Sequence, residues 1–170
     1  MIILPRLLVQ LLEKVDERRG AELALDFAEH AVEPLTDGLC SVCEEYVAAA
    51  RQAIRLGRAD DRLLRAHDAF AEEAWSDPGH SDDRNLLDSA VRLACQDMLI
   101  EAGVYSRAGR VSVDAPYIAK TAQSFVARRH SERAGDGEDL REVNRRARWE
   151  EARWQVRRVI ATEPAPPGNG

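Results

Sequence analysis

The sequence is poor in cysteine and in aromatic residues, and it has no long apolar run. Three cysteines in 170 residues are few and odd in number, which argues against a disulfide framework. No stretch approaches the roughly 18 consecutive apolar residues of a membrane-spanning helix, so none is predicted. The opening MIILPRLLVQ has no basic stretch before it, and no small-residue cleavage site follows. We therefore expect a cytoplasmic protein without a membrane partner.

Lysine is nearly absent as well. Only Lys14 and Lys120 are lysines, so arginine supplies the other 22 cationic side chains. The net charge of −6 is unevenly distributed: residues 1–127 hold 14 Lys and Arg against 22 Asp and Glu, whereas residues 128–170 hold 10 against 8. The chain is therefore acidic over most of its length and weakly basic toward its end.

Signals for β-strands are scarce. Val and Ile are scattered rather than clustered in alternating runs, and alanine is abundant, which favours helix over sheet. The length suffices for one domain with its own core. We predict an all-α protein: a compact bundle of about six to seven amphipathic helices forming a single domain over residues 1–162. The tail EPAPPGNG, residues 163–170, cannot build a core and is predicted to be disordered.

Apolar stripes separated by turn signals predict the individual helices. The first stripe follows Pro5 and ends near Gly20, and the second helix, from residue 21, is stopped by Pro34. Gly57 stands where a C-terminal glycine ends a helix. The remaining predicted helices cover 38–56, 60–75, 83–102, 114–133 and 138–161. N-caps are predicted at Asp37, Asp60 or Asp61, and Ser81, and Asp114-Ala-Pro116 begins the sixth helix.

The stretch DGLCSVCEEY contains a C-x-x-C pair, Cys40 and Cys43. A redox dithiol of this spacing follows a strand, and no strand is predicted before Cys40. A zinc site takes four ligands, and no second closely spaced pair accompanies Cys40, Cys43 and Cys95. Cys43 lies on a helical apolar stripe with Leu39 and Tyr46, so we expect the cysteines to pack as small apolar residues. Metal binding and redox chemistry are the alternatives; we predict no metal and no cofactor.

The histidines do not form a recognisable catalytic pattern. Only Asp77 places a carboxylate three residues before a histidine, His80, and both lie in a Pro-Gly loop. No H-E-x-x-H, G-x-S-x-G, P-loop or G-x-G-x-x-G occurs. We expect His67 to be a hydrogen-bonded core histidine and His30 a solvated residue at a helix end. The protein is predicted not to be an enzyme, and no catalytic residue is assigned.

The last predicted helix, EDLREVNRRARWEEARWQVRRVIA, is the most unusual segment. Seven arginines alternate with Glu142, Glu150 and Glu151. One interpretation is a core helix with i,i+4 ion pairs on its solvated side. Another is a binding surface, because Trp and Arg are enriched where interfaces carry most energy. Nucleic-acid binding is a third interpretation, although the overall acidity opposes nonspecific binding to phosphates.

Four segments carry a resemblance to a known family. They are LALDFAEHAVEPL (23–35), AARQAIRLGRADDRLLRAHDAFAEEA (49–74), AVRLACQDMLIEAGVYSRAGRVSVDAPYIAKTAQ (90–123) and EEARWQVRRV (150–159). In order and composition these segments resemble the helical immunity proteins of bacterial polymorphic toxin systems, an Ala-rich all-α family. The matching motifs are Phe27-Ala28-Glu29-His30, Tyr117-Ile-Ala-Lys120 and Trp154-Gln155.

The resemblance covers about two-thirds of the chain and implies a protein that binds and blocks a toxin. The histidines that the family carries near the fifth helix have no counterpart between Leu86 and Lys120, so no metal or catalytic role is carried over. An acidic protein is suited to covering the basic active site of a nuclease-type toxin, because complementary charge speeds encounter. The predicted partner-binding residues are Glu44, Glu45, Glu72, Glu73, Arg145, Trp149, Arg153 and Trp154.

Two further possibilities stay open from the sequence. The alternative function is a regulator or adaptor that contacts nucleic acid through the Arg-rich last helix, although nucleic acid is the less expected partner. The alternative use of apolar surface is self-association. Trp149 and Trp154 point roughly 140° apart on a helix, so both cannot face the core. Because the first helix is also apolar on more than one side, we predict a homodimer through the first or last helix; mutual covering within one chain is the competing arrangement.

Overall fold

The computed structural model describes residues 4–32, 41–76, 81–109 and 114–164. Within these ranges the chain forms seven α-helices and no strand, which confirms the prediction of a compact all-α bundle. A short 3₁₀ turn, Arg107–Gly109, follows the fifth helix. The helices are α1 Leu4–Leu12, α2 Glu17–Val32, α3 Ser41–Leu56, α4 Asp61–Ser76, α5 Ser81–Glu101, α6 Ala115–Arg133 and α7 Leu140–Ala161.

The boundary between α1 and α2 differs from the predicted one. The first helix was expected to run to about Gly20, but it ends at Leu12, and Gly20 lies inside α2. The Asp16 side chain explains the new start, because its Oδ1 accepts a hydrogen bond of 3.0 Å from the backbone N–H of Arg19. Such a cap satisfies one of the open N–H groups in the first turn of a helix. The intervening turn lets α1 fold back against α7.

Other helix ends follow the expected capping chemistry, except that Ser81, the predicted cap of α5, is the first residue of that helix. Asp60 accepts a 3.0 Å hydrogen bond from the backbone N–H of Leu63 at the start of α4. Asp114 does the same for Tyr117 at the start of α6, over 2.7 Å. Gly57 takes φ 67° directly after α3, a left-handed conformation that glycine adopts without penalty. Asp37, the predicted cap of α3, lies outside the described residues.

The bundle is organised around α2 and α5. The α3–α4 pair packs on one side of these two helices, and α6, α7 and α1 pack on the other. Large side chains from most helices fill the centre: Phe27, Tyr46, Leu63, Leu99 and Ile118 are all fully buried. The arrangement leaves one long side of α4 and one long side of α7 facing away from the core.

The cysteines on the described helices are buried, as predicted. Cys43 lies on the inner face of α3 and Cys95 on that of α5. Burial raises the pKa of the Cys95 thiol to about 12, so it stays protonated near neutral pH. Cys40 lies outside the described residues, as does the tail from residue 165, so the predictions made for them stay predictions.

Candidate partner-binding surface

The eight predicted partner-binding residues fall into two separate groups. Glu44 and Glu45 lie in the first turns of α3, and Glu72 and Glu73 lie near the end of α4. The other four belong to α7, which packs on α6, α1 and α2, whereas α3 and α4 pack on each other and on α5. The acidic group therefore lies on one side of the bundle, and the Arg/Trp group lies on the other.

Part of the acidic group is engaged in contacts between helices. Glu45 accepts two hydrogen bonds from the guanidinium of Arg62, at 2.7 and 2.8 Å, which link α3 to α4. These bonds hold the pKa of Glu45 below its usual value. Arg84, which is buried, donates from Nη1 to the main-chain oxygen of Glu73 over 3.1 Å. Glu44 remains exposed on the surface of α3.

Carboxylate–arginine pairing is general across the helix junctions. Asp26 on α2 accepts from Arg51 of α3 at 2.8 Å and from Arg158 of α7 at 2.7 Å, so it ties three helices together. The planar guanidinium suits such sites because it binds carboxylates in a fixed geometry. Asp82–Arg128 and Asp83–Arg129 join α5 to α6 over 2.7 and 2.6 Å, and Asp88–Arg92 spans one turn within α5 over 2.8 Å. Several acidic residues are thus paired with arginines inside the chain.

Trp154 packs inward, against α2. Its ring stacks on His30 with centroids 3.6 Å apart and planes 6° apart, and it meets the edge of Phe27 at 6.2 Å. His30 was expected to be a solvated residue at a helix end. Instead its Nδ1 lies 2.9 Å from Oε2 of Glu151, and its ring is covered by Trp154. Trp154 therefore belongs to the packing between α2 and α7.

A buried polar network continues from this stack, and the sequence analysis did not find it. Glu151 is only 3% exposed and Gln155 is fully buried. Gln155 Nε2 donates to Glu151 Oε1 at 3.0 Å and to the main-chain oxygen of Ala119 at 3.1 Å. Gln123 on α6 donates to Gln155 Oε1 at 2.8 Å. The signal in the sequence was the four-residue step that places Glu151 and Gln155 in line with the buried Ala147.

The opposite side of α7 is exposed and carries a compact set of arginines with two apolar residues. We call this set the outer face of α7. At about 100° of rotation per residue its members fall within roughly 80° of one another, and Glu142, which pairs with Arg145, falls in the same sector. Trp149 is 45% exposed and Ile160 is 53% exposed, which is unusual for side chains of their size. The outer face consists of Arg146, Trp149, Arg153, Arg157 and Ile160.

The arginines of the outer face are not neutralised within the described part of the chain. No carboxylate there lies within ion-pair distance of Arg146, Arg153 or Arg157. The neighbouring arginines of α7 differ: Arg145 pairs with Glu142 at 2.6 Å, and Arg158 pairs with Asp26. Apart from Arg141 and Arg148, which lie elsewhere around the helix, the exposed arginines of α7 without such a partner therefore lie beside Trp149.

A second polar cluster lies between α3, α4 and α5. The hydroxyl of Tyr105, in the segment after α5, is 2.8 Å from Nε2 of His67, which confirms His67 as a hydrogen-bonded interior histidine. The guanidinium of Arg92 lies 4.8 Å from the centre of the Tyr105 ring. Tyr46 donates from its hydroxyl to Asp88 Oδ1 at 3.3 Å. Together these contacts fasten the segment after α5 to α4.

The chemistry of this second cluster is that of hydrogen-bond donors. Burial raises the pKa of both Tyr46 and Tyr105, and the nearby Asp88 carboxylate raises them further. Both phenols therefore stay protonated at neutral pH, which does not favour them as nucleophiles. The sequence analysis found His67 but missed its partners, because Tyr105 follows it by 38 positions.

A surface groove of about 960 Å³ runs between α2, α3 and α5. Leu56, Leu93 and Met98 supply apolar surface to it, and its rim includes Asp16 and Arg55. Because both signs of charge occur on the rim, the groove does not select a partner by charge.

Among the described residues, no group of three or more His, Cys, Asp and Glu side chains is placed to hold a metal ion. In the same ranges, every helix is too short or too polar to cross a bilayer.

The chain was also compared with known proteins. None of the family models, curated proteins or solved structures with which it was compared matches it.

Proposed function

We propose that the protein is a non-catalytic interaction protein, an immunity protein that binds and neutralises a cognate toxin. The observation that carries the proposal is the outer face of α7, where the half-exposed Trp149 lies beside Arg146, Arg153 and Arg157. Tryptophan and arginine are the residues most often found where protein interfaces carry their binding energy. The resemblance of the sequence to helical immunity proteins supports the same conclusion.

The surface is also suited to binding because its base is rigid. α7 is fastened through the Trp154–His30 stack and the Glu151–Gln155 network on its inner side. A partner that docks on the outer side would not have to order the helix first, which lowers the entropic cost of association. This fastening separates the two tryptophans by role: Trp154 positions the helix, and Trp149 is available to a partner.

The test is co-expression with toxin genes adjacent to the gene for this protein. Cells that carry such a toxin should survive when the intact protein is present. A variant with Arg153→Glu and Arg157→Glu should fail to protect them, because the charge of the outer face is reversed. Arg65→Glu on α4, an exposed arginine, is the matched control and should protect fully. If the intact protein does not change survival with any adjacent toxin tested, the proposal is contradicted.

A second candidate function is a regulator or adaptor that contacts nucleic acid, and the same three arginines favour it. Exposed guanidinium groups bind phosphates, and an exposed tryptophan can stack on a base of a single strand. A gel shift with random DNA at physiological salt tests this candidate. If the protein binds the DNA, and a variant with Arg146→Gln, Arg153→Gln and Arg157→Gln together does not, the nucleic-acid function is favoured over the immunity function.

A further inference from the structure

The outer face of α7 has a charge that opposes that of the rest of the chain. Residues 1–127 hold 14 Lys and Arg against 22 Asp and Glu. Within the described ranges Arg146, Arg153 and Arg157 have no carboxylate at ion-pair distance. At 1.5 Å per residue they extend over about 16 Å of helix. This length matches a surface patch of a partner rather than a single ligand group.

We propose that this face binds an acidic protein surface, in which carboxylates pair with Arg146, Arg153 and Arg157 around Trp149. The inference rests on the proposed function in taking the partner to be a protein, and it adds the partner's chemistry. The net acidity of the chain predicts a basic partner, whereas this face predicts an acidic one. The reason is that acidic residues such as Glu45 and Asp26 are already paired with arginines, whereas the arginines of the outer face are not.

Carboxylates fit this face better than a phosphate backbone does. Glu150 is exposed on α7, three to four residues from Arg146 and Arg153, and Glu142 lies one turn before Arg146. A polyphosphate chain running along the helix would meet these carboxylates and would also be repelled by the acidic remainder of the molecule. A protein surface can place a cation opposite Glu150 and carboxylates opposite the arginines. The guanidinium fork matches a carboxylate with two parallel hydrogen bonds.

Trp149 supplies the apolar centre of the contact. Its ring lies within one turn of Arg146 and Arg153, and about half of it is already covered by its own chain, which limits the side-chain entropy lost on binding. Ile160 extends the apolar surface toward the end of α7. A central aromatic residue surrounded by charged residues that exclude water is the usual layout of an interface hot spot.

The experiment is site-specific photo-crosslinking from this position in cells of the native host. The full chain carries Trp149→p-benzoylphenylalanine, and the crosslinked peptide of the partner is mapped by mass spectrometry. We expect a protein adduct whose mapped peptide is rich in Asp and Glu. Arg153→Glu with Arg157→Glu should reduce the adduct at least about 10-fold, because like charges then face each other. Arg65→Glu should leave its amount unchanged, and circular dichroism should show that all variants keep their helices.

Reversal of the mapped partner carboxylates to lysine should restore the adduct of the Arg153→Glu, Arg157→Glu variant, and this restoration supports the inference. An adduct with nucleic acid or lipid would overturn it. So would an adduct with a peptide that lacks carboxylates, an adduct insensitive to charge reversal, or no adduct. If an acidic partner is found but no adjacent toxin is neutralised, the partner chemistry stands and the immunity function fails.

Discussion

Trp154 lies face to face with His30, with ring centroids 3.6 Å apart and planes only 6° apart. The two residues are 124 positions apart in the chain and join the end of α2 to the middle of α7. Glu151 completes the junction through the 2.9 Å contact of its Oε2 with Nδ1 of the histidine. The stack fixes the rotation of α7, and this rotation directs Trp149 outward.

The two tryptophans of α7 should therefore differ in their contribution to stability. Trp154→Ala removes the stack on His30 and the edge contact with Phe27, and we expect it to lower the free energy of unfolding by about 2 kcal/mol. Trp149→Ala, its matched control, should cost clearly less, about 1 kcal/mol or below, because about half of that side chain is already exposed. Urea denaturation of both variants measures the difference. Equal losses would contradict this division of roles.

The adjacent glutamates of α7 offer a second matched pair. Glu151→Ala leaves Gln155 Nε2 and His30 Nδ1 without a bonded carboxylate, so we expect a loss of about 2 kcal/mol in the free energy of unfolding. Glu150→Ala should cost less than about 0.5 kcal/mol, because Glu150 is exposed. Thermal or urea unfolding at neutral pH compares the two. A loss in the Glu150 variant as large as that in the Glu151 variant would refute the buried network.

The buried tyrosines predict a loss of stability at alkaline pH. Burial raises the pKa of Tyr46 and Tyr105 in the folded protein, whereas unfolded tyrosines titrate near about 10. Above about pH 10 the unfolded state therefore binds fewer protons than the folded state, and the free energy of unfolding falls as the pH rises. Below about pH 10 this contribution is fully present. Urea unfolding at a series of pH values from about 8 to 11 measures the slope.

Tyr46→Phe tests the origin of that slope. The variant removes the Tyr46 hydroxyl, whose pKa is raised chiefly by burial, together with its hydrogen bond to Asp88. Its stability should be lower at neutral pH, but it should decline less steeply above about pH 10. An unchanged slope would mean that Tyr46 does not contribute to it.

Cys95 should resist thiol reagents in the folded protein. Its sulfur is buried, and burial raises its pKa to about 12, so almost no reactive thiolate exists near neutral pH. Peptide mass spectrometry after iodoacetamide treatment should show Cys95 modified in urea and unmodified without it. Rapid modification in the folded state would show that α5 opens locally.

Self-association through α1 is the remaining prediction. α1 and α7 pack on each other within the chain, which buries Leu8 and Leu12 but leaves Leu7 36% and Val9 40% exposed. A symmetric contact between two outer faces of α7 would bring arginines together, so α1 is the better dimer surface. Light scattering at micromolar concentration should give twice the 19.0 kDa of one chain. Val9→Asp should restore the single mass, and a mass near 19.0 kDa that persists on dilution would contradict the homodimer.

The helices and their local ends could be predicted because they depend on neighbours within one turn. The apolar stripes located five of the seven helices of the described ranges closely, and Asp60, Asp114 and Gly57 act at the ends where their chemistry places them. The boundary after Leu12 was missed because Leu8, Leu12 and Val15 continue one periodic pattern across the turn, and periodicity does not register a cap such as Asp16.

The division between engaged and available charges was decided only by the tertiary structure. The sequence determined that α7 carries seven arginines and that Trp149 and Trp154 face different directions, since both follow from composition and helical period. It could not determine that Arg158 meets Asp26, 132 positions away, while Arg153 meets no carboxylate of the described chain. A helix's own period is local, but its rotation against neighbours depends on how distant side chains pack. That packing directed Trp154 and Glu151 inward and left Trp149 and its arginines at the surface.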